Sequence, residues 1–347
     1  MKMNPLGRTG IEVSELCLGT MTFGTQTPPE VAHAQIDHAL AAGVNFLDTA
    51  EMYPVNPVSI ETIGRTEEIL GDWFAATGRR DAVILATKHS GEGSKVRNGE
   101  PITAESIPRT LEASLKRLKT DYVDLYQFHW PNRGSYMFRK NWHFDPSSQN
   151  RDETLANMED CLGALQREVE RGTIRAFGLS NESAWGTTQW IEAAKRVGGP
   201  RVASLQNEYS LMCRLADTDV AEMCVNEDVG LLPFSPLAVG LLSGKYSGGA
   251  IPEGSRRSIV PELGGRMRSD RTLAVADVYV GIARDFGLDP VQMAVAWSAR
   301  RPFVASSIFG ATTMDQLEHV LGAADLELSE ELLSALDAAH RANPMPY

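Results

Sequence analysis

Asn45-Phe46-Leu47-Asp48-Thr49-Ala50-Glu51-Met52-Tyr53 opens as a buried strand and stops being apolar at Asp48. Tyr53 follows on a loop, and Pro54 ends regular structure. Two further apolar runs end in the same way. Val83-Ile84-Leu85-Ala86-Thr87 ends in Lys88, and Val123-Asp124-Leu125-Tyr126-Gln127-Phe128 ends in His129. In a parallel α/β barrel the C-terminal strand ends share one rim, where active sites sit. Three strand ends carrying Asp, Lys and His therefore predict one site.

Working outward, the chain alternates short apolar runs with helical stripes. Residues 3–13 read as a hairpin turning at Gly7-Arg8-Thr9-Gly10. Glu15–Thr20 reads as the first buried strand, and residues 30–42 and 66–76 as helices. Thr103 is a candidate cap for a helix to Lys119, with Pro108 placed to distort it. Later strands are expected at 174–179, 202–205, 229–235 and 306–310, and Asp289-Pro290 has the cap-plus-proline form of a helix start. Eight strands alternating with helices, then two C-terminal helices, predict a (β/α)8 barrel spanning 1–347 as one domain. A doubly wound sheet would bring a glycine-rich turn after its first strand. Gly19-Thr20-Met21-Thr22-Phe23-Gly24 is not one.

Two irregular stretches break the rhythm. Residues 130–151 carry Trp130, Tyr136, Phe138, Trp142 and Phe144 among loop-forming residues, as expected of an ordered flap over a substrate pocket. Residues 238–270 form the second. Its Arg256, Arg257, Arg266, Arg268 and Arg271 taken alone read as a solvated basic stretch. Tyr136 and Lys140 have a Tyr-xxx-Lys spacing, but in a loop rather than on a helix beyond a glycine-rich turn, so it carries no weight.

With 347 residues, 43% hydrophobic, the chain can bury a large core. A net charge of -12 argues against non-specific nucleic-acid binding. Four cysteines, at 17, 161, 213 and 224, have no disulfide or zinc spacing, so no metal is expected. The start lacks an apolar leader, and no run is long enough to span a membrane, so a cytoplasmic protein is expected.

Asp48, Tyr53, Lys88 and His129 at one rim suit acid catalysis at a carbonyl. A phenol, pKa about 10, is a weak proton donor at neutral pH. A lysine ammonium beside it is expected to lower that pKa, an aspartate to hold the lysine, and a neutral histidine to orient the substrate oxygen. The side chains offer protons only, so a hydride source is needed, which implies a nicotinamide cofactor.

Phe46-Leu47-Asp48-Thr49-Ala50-Glu51-Met52-Tyr53, the strand into Lys88, Tyr126-Gln127-Phe128-His129 and Gly178-Leu179-Ser180-Asn181 together resemble the aldo-keto reductase family. The likeness runs from about Pro5 to about Ala339. It leans to the branch holding potassium-channel β subunits and Tas-like bacterial proteins. The resemblance implies an NADPH-dependent reductase of aldehydes or ketones, or alternatively an NADPH-binding regulatory module with slow turnover. It implies Tyr53 as general acid, with Asp48, Lys88 and His129 around it. For the cofactor it implies Gly19, Thr20, Asp48, Ser180, Asn181 and Gln206 near the nicotinamide and Phe234 stacked on the ring. Ser235, Leu237, Gly240 and Leu242 would wrap the pyrophosphate. Lys245 and Arg256 would reach phosphates, and Gly310, Thr312 and Gln316 would receive the adenosine end. The 130–151 segment would be the substrate loop and 238–270 the cofactor-covering loop. Phe23, Met52, Tyr53, His129 and Trp130 would contact a small carbonyl substrate. His319 and Val320 depart from the family pattern, which places an acid and an asparagine there to hold adenine.

Overall fold

The computed structural model describes residues 1–347 apart from Arg268 and Asp270, which fall inside the 238–270 segment. Eight parallel strands form the sheet: β3 (Leu16–Gly19), β4 (Phe46–Asp48), β5 (Ile84–His89), β6 (Val123–Phe128), β7 (Ile174–Ser180), β8 (Val202–Gln206), β9 (Gly230–Leu231) and β10 (Ser307–Phe309). Their order is β10-β3-β4-β5-β6-β7-β8-β9. Two isolated parallel bridges, Leu231 with Val304 and Phe234 with Ile308, join the last strand to the first, so the sheet curls into the expected barrel.

The alternation of side chains along each strand sorts them between two cores. Cys17, Phe46, Ala86, Leu125, Ala176, Ala203 and Ile308 point inward. Leu18, Leu47, Leu85, Tyr126, Phe177 and Leu205 point outward against the helices. The inner core is plugged by Leu6, Ile11 and Val13 of a hairpin formed by β1 (Met3–Pro5) and β2 (Glu12–Ser14). The plug fits because Gly7 lacks a side chain. A Cβ there would sit 2.5 Å from the Ala203 carbonyl oxygen, and its φ is +56°.

The outer helices are α1 (Pro29–Ala41), α2 (Arg65–Thr77), α3 (Ser106–Leu118), α4 (Arg151–Glu170), α5 (Ala184–Val197), α6 (Asp219–Asn226), α7 (Arg256–Ile259), α8 (Arg271–Asp285), α9 (Pro290–Ala299), α10 (Met314–Leu321) and α11 (Glu330–Ala342). Asp289 caps α9 by accepting from Val291 N and Gln292 N, with Pro290 at its start. The distortion expected at Pro108 does not arise. Helix α3 begins at Ser106 instead of Thr103, so the proline lies in the first turn, where no intrahelical N–H bond is lost. Thr103 still serves the start: its Oγ1 accepts from Ser106 N at 3.1 Å, and Ser106 Oγ accepts from Thr103 N at 2.9 Å. Among the described residues no helix is long and apolar enough to cross a membrane.

Candidate active site

The barrel register sets ionisable residues at one level. Gly19 pairs with Asp48, Lys88 with Gln127, and Ser180 with Gln206. Alternation from Phe46, Ala86 and Leu125 turns Asp48, Lys88 and Gln127 inward, and a register shift in the β7–β8 pairing at Ala203 brings Gln206 to the same side, so the four converge above the apolar inner core. Lys88 Nζ donates to Asp48 Oδ2 at 2.5 Å, to the Thr49 carbonyl oxygen at 2.8 Å and to Tyr53 Oη at 3.4 Å. Its side chain has no exposed surface. A buried ammonium survives only with such partners. Burial works to lower the Lys88 pKa, but Asp48 and then Tyr53 outweigh it and the net shift is upward.

Asp48 is held from both sides. Its Oδ1 accepts from Gln206 Nε2 at 2.9 Å and from Gln127 Nε2 at 3.2 Å. Thr20 donates both its amide N–H and its hydroxyl to the Asp48 carbonyl oxygen, at 3.0 and 2.9 Å. Gly19 stands beside it because a Cβ there would lie 2.8 Å from Ile308 Cγ2.

The Tyr53 ring meets His129 edge to face at 5.9 Å between centroids, and Lys88 Nζ lies 4.9 Å from the same ring's centroid. The expected net lowering of the Tyr53 pKa is not what the environment gives. Burial raises it more than Lys88 lowers it, and the phenol stays protonated throughout the neutral range. Burial, with Lys88 next, pushes the His129 pKa well down, so the ring is a neutral imidazole. Its Nδ1 is buried with no hydrogen-bond partner among the described residues.

The predicted cofactor residues fall into groups. Ser180 Oγ donates to the Gln206 carbonyl oxygen at 2.8 Å, and Asn181 Nδ2 donates to the His129 carbonyl oxygen at 2.9 Å. Asn181 Oδ1 is buried with no partner among the described residues. Gln206 itself spends its amide on Asp48 and Gln127. Phe234 is half-buried and bridged to Ile308. Beyond it the chain turns through Ser235, Ala238, Val239 and Gly240, all at positive φ, while Leu237 accepts from the amides of Gly240 and Leu242. Lys245 is exposed beside the Tyr246 ring. Gly310 is exposed, and Thr312 donates its amide N–H and its hydroxyl to Gln316 Oε1. His319 pairs with Asp289 at 2.8 Å and Val320 is buried in the core.

Two placements differ from expectation. Phe23, expected in the pocket wall, has no exposed surface and packs in the outer core, where Thr66 Oγ1 caps its carbonyl. Arg266 is no part of a solvated stretch. It is buried against Glu208, donating to Oε1 from Nε at 3.0 Å and from Nη2 at 2.6 Å. Arg139 of the 130–151 segment donates to Glu208 Oε2 at 2.8 Å, and Tyr347 Oη donates to Oε1 at 3.2 Å. Burial raises the Glu208 pKa, and the two guanidiniums more than reverse it. Arg256 donates to Asn56 Oδ1 at 3.1 Å, three residues beyond Tyr53. Burial and then Arg266 push its pKa down to about 10.

Met52 and Trp130 are half-buried at the rim, Trp130 lying 5.0 Å from the His129 ring and 6.2 Å from Phe138 between centroids. Sequence reasoning missed Gln127, although a polar residue two before His129 in an apolar strand was a period-two signal. It also missed Glu208 and Asn56, whose partners are distant in sequence. No group of three or more metal-binding side chains occurs among the described residues.

The sequence matches the Aldo/keto reductase family over residues 15–341. It is 41% identical to Protein tas of Escherichia coli (strain K12) over 350 residues, covering 100% of this chain and 99% of that one. It is 31% identical to the uncharacterized oxidoreductase YrpG of Bacillus subtilis (strain 168), covering 97% and 95%. A probable voltage-gated potassium channel subunit beta of Oryza sativa subsp. japonica is 32% identical, with 99% and 98% covered.

Proposed function

We propose that this chain, which belongs to the aldo/keto reductase family of oxidoreductases, reduces aldehydes or ketones to alcohols with NADPH and uses Tyr53 as the proton donor. The observation that carries this reading is Lys88 Nζ, which sits between Asp48 Oδ2 at 2.5 Å and Tyr53 Oη at 3.4 Å.

The residues present fit a nicotinamide cofactor. Asn181 Oδ1 is a buried acceptor without a partner, as a carboxamide N–H would require. Lys245 lies over the Tyr246 ring and Arg256 donates to Asn56, and neither has a carboxylate partner among the described residues. Ser180, Asn181 and Gln206 would hold the ring end, Phe234 would lie against it, and Ser235, Leu237, Gly240 and Leu242 would wrap the phosphates. Lys245 and Arg256 favour the extra phosphate of NADPH. Gly310, Thr312 and Gln316 would take the adenosine end. Bound reduced nicotinamide supplies the hydride that no side chain can.

The protein's own part is at the oxygen. As the carbonyl carbon accepts the hydride pair, its oxygen becomes an alkoxide more basic than any phenolate. Tyr53 gives that oxygen its proton and is left as the phenolate, which the adjacent Lys88 ammonium stabilises. Asp48 keeps Lys88 charged and aimed. Neutral His129 donates a hydrogen bond that orients the carbonyl. Met52, Trp130 and the exposed ring of Phe138 beside Trp130 would make an apolar rim, which suits bulky or aromatic carbonyl compounds.

The test is Tyr53→Phe. NADPH binding by intrinsic fluorescence should persist, and turnover of 4-nitrobenzaldehyde at the nicotinamide absorbance band should fall by at least 10²-fold. Undiminished turnover would overturn the assignment. The rice relative's name supports a second reading, a cofactor-binding regulatory module. Tight NADPH retention with negligible turnover in the unaltered chain would favour it.

A further inference from the structure

The main chain leaves the barrel ladder at Glu51. Thr49 N donates to the Ala86 carbonyl oxygen at 2.9 Å and Glu51 N to that of Lys88 at 3.2 Å, which continues the parallel pairing of β4 and β5 past its last strand residue. The next rung of a parallel ladder would take the Ser90 amide onto the Glu51 carbonyl. Instead Ser90 N donates to the side chain of Glu51, at Oε1, at 2.5 Å. The carboxylate stands in for the carbonyl, and the backbone is released to turn. Tyr53 N closes that turn on the Ala50 carbonyl oxygen at 3.1 Å, and the phenol returns to within 3.4 Å of Lys88 Nζ.

Arg97 holds the other end of the same carboxylate. Its Nη1 donates to Glu51 Oε2, and its Nη2 donates to the Ser90 carbonyl oxygen at 3.1 Å. Both polar groups of the Ser90 backbone, two residues past Lys88, are thus bound by this pair. The two side chains are 4% and 17% exposed, so water cannot readily replace either. Arg97 is presented with φ +49° and Asn98 with +54°, conformations a non-glycine residue adopts at a cost only where surroundings enforce them. His89 Nδ1 lies 3.1 Å from Arg97 Nη2. None of the hydrogen bonds of Glu51 or Arg97 goes to Tyr53 Oη, Lys88 Nζ or the His129 ring.

We propose that Glu51 and Arg97 are a positioning pair for the proton donor: by completing the last rung with a side chain they fix the turn that carries Tyr53 against the strand that carries Lys88. The inference rests on Tyr53 being the donor. Donor and ammonium already stand at the long end of a hydrogen bond, so slackening the turn by about 1 Å costs roughly 10²-fold in rate.

The test uses the full chain with Glu51→Ala, Glu51→Gln and Arg97→Met, and with Tyr53→Phe alongside. The pair predicts that Glu51→Ala loses roughly 10²-fold in kcat for 4-nitrobenzaldehyde, while the Kd for NADPH and the KM for aldehyde stay within about twofold. Proton transfer then limits the rate, so the solvent deuterium isotope effect on kcat rises. Glu51→Gln, which retains an oxygen for Ser90 N, recovers at least tenfold of the loss, and Arg97→Met falls between. A role in folding alone would lower kcat only in proportion to the folded fraction and leave the isotope effect unchanged; that result overturns the pair. So does an active Glu51→Ala beside an inactive Tyr53→Phe. If Tyr53→Phe turns over normally, the donor assignment fails and the pair with it.

Discussion

Gln206 Nε2 lies 2.9 Å from Asp48 Oδ1, a bond that spans the barrel rim from the end of β8 to the end of β4. Lys88 occupies Oδ2, and Gln127 shares Oδ1. The carboxylate that sets the lysine is therefore itself set by two amides. Replacing Gln206 with Leu leaves Oδ1 with one donor in a buried site. We expect a loss of about 1–3 kcal/mol in urea unfolding. The KM for aldehyde should move less than kcat, because Met52 and Trp130, proposed to contact the substrate, are untouched.

Glu208 pairs with both Arg139 and Arg266, which arrive from two different irregular segments. Glu208→Gln keeps the shape and removes the charge. Two buried guanidiniums are then left without a counter-ion, a change that costs about 3–5 kcal/mol when one partner of a buried pair is removed. The expected result is a lower thermal midpoint together with faster tryptic cleavage within 238–270. Unchanged cleavage would mean that Glu208 does not tether that segment.

His89 predicts a pH dependence of stability. Its ring is buried between the Ser90 carbonyl oxygen and Ser106 Oγ, and burial, then Arg97, pulls its pKa down to about 3. An unfolded histidine titrates near 6.5. Below about pH 6.5 the unfolded chain takes up a proton that the folded His89 refuses, so stability falls as pH drops and the fall levels off near pH 3. The slope is about 1.4 kcal/mol per pH unit for each such group. His129, also shifted down, acts in the same direction. Unfolding free energies at pH 7, 6 and 5 should show a shallower slope for His89→Gln than for the unaltered chain.

The strands were legible because each is an apolar run with a polar end, and the barrel because those runs alternate with helical stripes. Asp48, Lys88 and His129 were legible for the same reason: period-two alternation brings strand ends to one rim. What sequence hid were partners that loops outside the strands bring together. Arg97 meets Glu51 and Arg266 meets Glu208 across 46 and 58 positions, with no local pattern to mark them. Phe23 looked like a pocket aromatic because it follows a strand end, but the turn behind it folds the ring into the outer core. The sign of the Tyr53 shift was hidden too, since it depends on how far burial exceeds the pull of one lysine.

The barrel is thinnest where it closes. Strand β9 contributes two residues, and it meets the β10 side through isolated bridges at Leu231 and Phe234, held by backbone bonds from Leu231 N to the Phe303 carbonyl, Ala305 N to that of Leu231 and Ile308 N to that of Pro233. A cask loosens first at the stave with fewest hoops, and here that stave carries Phe234 and leads into Ser235–Gly240. Local opening is cheapest at such a place. A molecule gripping both Gln206 and Gln316 would lie across this joint and serve as the missing hoop. Saturating it at about a hundred times its Kd would add about 2.7 kcal/mol to the folded state, so a ligand bound across the joint would also hold it closed.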